Sequence, residues 1–211
     1  MSGQHEELNR RSLRLTGYDY SQAGAYFVTV CAYNKECLFG EIESGLMRLN
    51  ECGEIVVSEW MRSTEVRSEI ECGEFVVMPN HFHGIVRIVG AYGNTPMNGN
   101  TPMLRDEKKM AYSNNKGVLP YGKGVLPYAP TSPSRNLGSM VRGFKGAASR
   151  RINQLRNTPG APVWQRNYYE HVIRNDADYN RLAEYVVNNP QRWMEDSLHP
   201  EFVVGAYGNT P

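Results

Sequence analysis

The sequence predicts an α+β domain in which helices cover an antiparallel sheet. Three observations predict it: short β-branched and aromatic runs that read as strands, longer segments with apolar residues at helical spacing, and an element order of β-β-α-β-β-α-α. The first element, YFVTVCA at 26–32, is dense in residues that suit a pleated surface and reads as a buried strand. Residues 38–42 read as its short partner. Residues 50–67 set Ile55, Val56, Trp60 and Met61 at helical spacing and read as an amphipathic helix. EFVVM at 74–78 and FHGIVRIV at 82–89 are two further strands, joined through Pro79-Asn80. Between 134 and 156, Leu137, Met140, Val141, Phe144, Ala148, Ile152 and Leu155 fall along one side of a helix. A last helix covers 176–188, with Asn175 or Asp176 as its cap and Pro190 closing it.

Composition bounds the functions open to such a domain. Its 211 residues carry 23 Lys+Arg against 22 Asp+Glu, a formal net charge of +1. That balance excludes a polybasic tail protein and an acidic disordered chain, but not a local basic surface. No run approaches the roughly 18 apolar residues of a membrane helix, and MSGQHEELNRRSLRL lacks the apolar core of an export signal. Cys31, Cys37, Cys52 and Cys72 form no CxxC pair and no disulfide-dense pattern. These features lead us to expect a soluble protein of the reducing cytoplasm with no membrane partner, whose cysteines serve as small packing residues.

Residues 90–133 break the pattern, being rich in Gly, Pro, Asn, Ser and Thr and almost free of aliphatic periodicity. The expected organisation is a single domain built from 1–89 and 134–204, interrupted at 90–133 by a flexible repetitive insertion and followed by a repeat-derived tail at 205–211. GAYGNTP occurs at 90–96 and again at 205–211, while KGVLPY occurs at 116–121 and 123–128. The two peptides can be related through DNA. GAYGNTP can be encoded as GGGGCGTATGGCAATACGCCC, which contains an inverted repeat, and its reverse complement in a shifted frame encodes GVLPYAP. One palindromic element inserted in both orientations would account for both repeats; ordinary peptide-level slippage is the alternative.

The sharpest chemical signal is Met78-Pro79-Asn80-His81-Phe82-His83-Gly84. Residues two apart on a strand point to one face, so His81 and His83 project together while Phe82 faces the other way. Two adjacent imidazoles make most of a metal site; a hydrogen-bonded, half-buried histidine pair is the alternative. A second signal is Tyr185-Val186-Val187-Asn188-Asn189-Pro190. Positions four apart share a helical face, so Tyr185 and Asn189 can offer a phenol and an amide to one point. Tyr179 on the same helix is the rival tyrosine. Positive charge gathers between 134 and 156, where Arg135, Arg142, Lys145, Arg150, Arg151 and Arg156 meet no acidic residue, and this marks a candidate phosphate-contacting face. Arg166 and Arg174 flank Tyr168-Tyr169, a combination suited to stacking a base and holding a phosphate. NRRSLR at 9–14 reads as a basic arm, and His5 and His199 as surface histidines.

MPNHFHGIV at 78–86 resembles the His-hydrophobic-His motif of single-strand DNA endonucleases. The block from Trp164 to Trp193 resembles the C-terminal block of REP-associated tyrosine transposases, as do GSMVRGFKGAASRRINQLR and GAYFVTVCAYNKECLFGEI. This resemblance implies a ferredoxin-like fold with the histidine motif on a central strand. It implies that His81, His83 and Asn189 hold a divalent metal, Mg²⁺ or Mn²⁺, and that Tyr185 is the nucleophile. The implied activity is cleavage and rejoining of single-stranded or hairpin DNA through a covalent phosphotyrosine, leaving a 3′ hydroxyl. Two other functions remain open at this point: a catalytically inactive DNA-binding relic, and a metal-dependent hydrolase using the His pair. One tyrosine per chain allows either a homodimer cutting two ends or a monomer acting sequentially.

Overall fold

The computed structural model describes residues 23–89 and 136–201. The repetitive insertion, the tail, the basic arm, His5 and Arg135 lie outside the described residues. Six strands and three helices follow in the order β1 (Gly24–Cys31), β2 (Gly40–Glu43), β3 (Leu46–Leu49), α1 (Glu51–Val66), β4 (Ile70–Met78), β5 (His81–Ile88), α2 (Leu137–Leu155), β6 (Tyr169–Ile173) and α3 (Asp176–Asn188). A short 3₁₀ turn at Tyr33–Lys35 and a 3₁₀ segment at Pro190–Glu195 complete the set.

Four strands form one antiparallel sheet in the order β4-β5-β1-β6. Leaving aside the small hairpin β2–β3, the chain runs β1-α1-β4-β5-α2-β6, a split βαβ repeat of the ferredoxin-like kind. The fold class is therefore as expected, with the histidine motif on β5, an interior strand.

The period of two divides the sheet between two cores. Tyr26, Val28 and Val30 of β1 and Phe82, Val86 and Ile88 of β5 face α1 and α2, where they bury Val56, Trp60, Phe144 and Ile152. Phe82 fits among rings, 4.6 Å from Trp60 and 5.3 Å from Phe144 between centroids. Ala25, Phe27, Met78 and Ile85 face the other way, onto Leu182 and Val186 of α3 and onto Trp193. His81 and His83 share their side of β5 with Ile85, so the α3 side carries the chemistry.

Local chemistry explains the helix boundaries. Asn50 accepts from the Gly53 backbone N–H at 3.0 Å and starts α1, and Asn136 accepts from Ser139 N–H at 2.9 Å to start α2. Asn175 does the same for α3 through Asp178 N–H, and Pro190 follows its end.

Three expectations need correction. Residues 38–42 do not pair with the first strand, because β5 and β6 occupy both of its edges. They enter β2, which pairs with β3 through a turn at Ser44-Gly45 with φ of 52° and 75°, both left-handed as a two-residue hairpin requires. β3 and β6 are strands where none was expected. Met61 and Leu155 are exposed, so the buried stripes of α1 and α2 are narrower than their apolar spacing suggests.

Candidate functional site

The cleft that contains the histidine motif opens between α3, the β1–β6 side of the sheet and residues 196–198. Its volume is about 880 Å³, and Thr29, His83, Tyr169, His171, Tyr185 and Asp196 are among its lining.

Both imidazoles are buried and fixed through one nitrogen. The Asn80 amide nitrogen donates to the Leu198 carbonyl at 2.8 Å and to the Lys35 carbonyl at 3.2 Å. Its oxygen is thereby aimed at His81 Nδ1, 2.8 Å away, which must be the donor. The Nε2 of His81 then presents a lone pair. His83 Nδ1 lies 2.8 Å from Thr29 Oγ1, its register partner across β1, so the same arrangement is available there. Burial pushes the His83 pKa down to about 3 and that of His81 well below its ordinary value, the latter helped by the nearby charges of His83 and Lys35. Both rings are neutral at pH 7, the form in which imidazole binds a metal.

Asp196 completes the group. Its Oδ2 lies 3.6 Å from His81 Nε2, and one ligand atom from each of His81, His83 and Asp196 falls within 4.8 Å of the others. Asp196 follows the 3₁₀ segment, which Trp193 anchors against His81 at 6.0 Å between ring centroids. The Leu198 backbone N–H holds Asp196 Oδ1 at 2.7 Å, which leaves Oδ2 for the histidines. Asn189, at the end of α3, is buried beside them.

The donor set fits a divalent cation. Among the described residues, His81 Nε2, Asn189 Oδ1 and Asp196 Oδ2 are buried without a hydrogen-bond partner. Orphaned buried acceptors are rare and costly, and here three of them lie in one site. Imidazole nitrogen with carboxylate and amide oxygen suits Mg²⁺, Mn²⁺ or zinc-like ions. Burial raises the Asp196 pKa, and the Leu198 backbone N–H, the Asn189 amide and the charges of His199 and Lys35 offset part of that rise. None of the cysteines belongs to this group among the described residues.

The two candidate tyrosines part company. Tyr185 Oη lies 3.3 Å from His83 Nε2, and its ring meets the His83 ring edge-on at 5.2 Å between centroids. It is 39% exposed, open to the cleft. Burial and the Asp196 charge raise its pKa, and the Asn189 amide offsets part of that rise. Tyr179 Oη instead donates to Glu74 Oε2 at 2.6 Å and packs over Gly73 of β4. Burial and Glu74 raise its pKa further.

The basic residues also separate. Arg142 and Arg166 are exposed in a second groove of about 820 Å³ beside α2, which shares Gln165, Asn167 and Tyr168 with the first cleft. Arg150 and Arg174 are exposed as well. Lys145 is drawn inward: its ammonium donates to the Gln165, Arg166 and Asn167 carbonyls at 2.6, 3.1 and 3.3 Å. Arg151 pairs with the buried Glu59 carboxylate at 2.6 Å and joins α2 to α1. Both are structural fasteners here rather than free phosphate contacts.

Sequence reasoning misses Asp196, Thr29, Asn80 and Lys35. Asn80 stands within the histidine motif, where nothing in the spacing signals its role. Lys35 and its neighbour Asn34 hold left-handed backbone, φ 55° and 52°, next to the site. The one signal for Asp196 is that it is an acid shortly beyond NNPQRW.

No family model matches the chain. A structure described as a REP-associated tyrosine transposase bound to a REP hairpin is similar at a TM-score of 0.48 and 17% identity, covering 84% of this chain and 73% of that one. A transposase candidate from Deinococcus radiodurans is similar at a TM-score of 0.37 and 12% identity, covering 83% and 95%. Overlaps this loose do not speak to activity. An uncharacterized Haemophilus influenzae protein is 36% identical over 191 residues, covering 90% of this chain and 93% of its own length. The protein belongs to the same family as that Haemophilus protein.

Proposed function

We propose that the protein is a metal-dependent, single-tyrosine endonuclease and strand transferase that cleaves and rejoins single-stranded DNA at hairpin-forming repeats, the activity of the transposases its motifs resemble. The observation that carries this reading is the position of Tyr185 Oη, 3.3 Å from His83 Nε2 and open to the cleft, against a donor set with three unsatisfied buried acceptors. His81, His83, Asp196 and Asn189 would hold the ion, with Mg²⁺ or Mn²⁺ the ordinary choices for phosphate chemistry. Bound there, a divalent cation would supply charge neutralisation at a phosphate oxygen and help orient the diester.

The chain's own residues do the rest. Tyr185 Oη attacks phosphorus in line, releases its proton to solvent and forms the bond to the 5′ phosphate. The P–O3′ bond breaks, and the departing oxygen takes a proton to become a free 3′ hydroxyl. The new ester keeps the energy of the old one, so another 3′ hydroxyl can displace the tyrosine without ATP. The lone pair on His83 Nε2 serves either Tyr185 or a cation, not both. With that lone pair given to a cation, His83 would no longer accept from the Tyr185 phenol. Arg142 and Arg166, exposed in the groove that joins the cleft, would meet the phosphates of strand or stem leading into it.

The test is a denaturing gel with an end-labelled single-stranded hairpin oligonucleotide built from the gene's own repeat and its flanks. A protein-linked label that needs Mn²⁺ or Mg²⁺, survives Tyr179→Phe and vanishes in Tyr185→Phe is the expected result. Binding without any adduct, across a panel of flanks, would instead favour a DNA-binding relic.

A further inference from the structure

The cleft contains an aromatic side chain that the cleavage chemistry does not use. Tyr169 is on β6, the edge strand, and is 48% exposed. Register puts it in one row with the reacting groups, because His83 of β5 and Tyr169 of β6 both pair with Thr29 of β1. Thr29 Oγ1 reaches His83 Nδ1 at 2.8 Å, which fixes this row on the α3 side of the sheet. Two inter-strand spacings separate His83 from Tyr169, about 10 Å. That is the span of a nucleotide or two along a strand whose phosphate sits at Tyr185.

The same cleft also holds a cation. Arg181 lines the same cleft with its side chain 65% exposed, and its Nη2 is steadied by Asp178 Oδ1 at 2.6 Å. The other Asp178 oxygen takes His171 Nε2 at 2.8 Å, and His171 follows Tyr169 on the same face of β6. The arrangement offers an open aromatic face and a tethered guanidinium with N–H groups to spare. This is the combination that binds one unpaired nucleotide by stacking its base and holding its phosphate.

We infer that Tyr169 and Arg181 form a subsite for one unpaired nucleotide next to the cleaved phosphodiester, with the base stacked on Tyr169. The inference rests on the proposed DNA chemistry, since a strand must cross the cleft to reach Tyr185. Stacking tolerates every base, so the subsite recognises single-strandedness rather than sequence.

Binding is measured by fluorescence anisotropy with the labelled hairpin oligonucleotide and its unpaired flanks, in the Tyr185→Phe background so that no cleavage intrudes. Tyr169→Thr keeps a good strand former at the edge and should weaken binding about ten-fold, while Tyr169→Phe stays near the parent. Replacing the flanking nucleotides one at a time with abasic sites should find one position that costs the parent as much as Tyr169→Thr does and costs that variant little more. Equal affinity of the folded Tyr169→Thr protein and the parent, or abasic penalties unchanged by the substitution, would overturn the subsite. If Tyr185 still forms the adduct in that case, the nuclease function stands and only the subsite falls. A Tyr169-dependent stack with no adduct from the wild-type chain would do the opposite, keeping the subsite and removing the nuclease function. Failure of the parent to bind the oligonucleotide would overturn both.

Discussion

Asn80 has no part in bond breaking, yet it decides which nitrogen of His81 is free. Its amide is oriented by two carbonyls, and its oxygen then fixes the His81 tautomer. Thr29 holds the His83 ring in the same manner. Partners of this kind orient metal ligands and typically carry 10–100-fold in affinity or activity. Asn80→Ala and Thr29→Val should each lower Mn²⁺ affinity by about ten-fold or more in isothermal titration, with Thr29→Val leaving the fold intact. Unchanged affinity in both would mean that the buried histidines are not ligands. The histidine pair was legible because a strand has period two, and Tyr185 was legible because helices bring positions four apart together. Asp196 was not, since it arrives through a 3₁₀ segment after Pro190 whose path no periodicity describes.

At the scale of elements, packing explains two residues that composition alone misassigns. Gly84 follows His83 on β5, and a Cβ there would come within 2.8 Å of the Phe82 and Trp60 rings. Gly84→Ala should cost about 1–3 kcal/mol by overpacking, and that loss should appear as a lower Tm in a thermal melt. The basic face of α2 divides in the same way. Arg151 is committed to the Glu59 carboxylate, buried to 3% side-chain exposure, so Arg151→Ala should leave that charge only its longer 3.9 Å pair with Arg62 and lower Tm, with little direct effect on DNA phosphates. Arg142→Ala and Arg166→Ala should do the reverse: Tm holds, and the slope of log affinity against log salt falls by about one for each lost phosphate contact. From the sequence Arg142 and Arg151 looked alike, because the count of charges on a helix says nothing about which neighbour each one meets. β6 escaped notice for a related reason. An edge strand with one exposed face carries Tyr169, Glu170 and His171 in a mixed pattern, whereas the interior strands announce themselves with apolar runs.

On the scale of the whole molecule, the described residues that flank 90–133 are the end of β5 and the start of α2. The end of β5 at Ile88 lies seven residues from His81, about 23 Å at the usual rise. At the start of α2, Ser139 accepts from Arg67 at 3.2 Å, beside the end of α1. Replacing residues 90–133 with about eight Gly and Ser residues, a flexible closure, should leave cleavage and adduct formation unchanged. A folded deletion protein that neither binds nor cleaves would assign the insertion a part in DNA handling. Among the described residues no helix is long and apolar enough to cross a membrane. The ferredoxin-like order was expected only through the resemblance. Periodicity alone gave strands and helices but could not say that β1 lies between β5 and β6, because strand order is set by which faces must be covered once the chain has folded.

The central claim is that Tyr185 takes the 5′ phosphate. Trypsin cuts after Arg166, Arg174, Arg181 and Arg192, which places Tyr168 with Tyr169, Tyr179, and Tyr185 in three successive peptides. Mass spectrometry of the nuclease-trimmed, trypsin-digested adduct should find the nucleotide mass on LAEYVVNNPQR, residues 182–192, and nowhere else. A nucleotide on the peptide of Tyr179, or on that of Tyr168 and Tyr169, would contradict the claim outright.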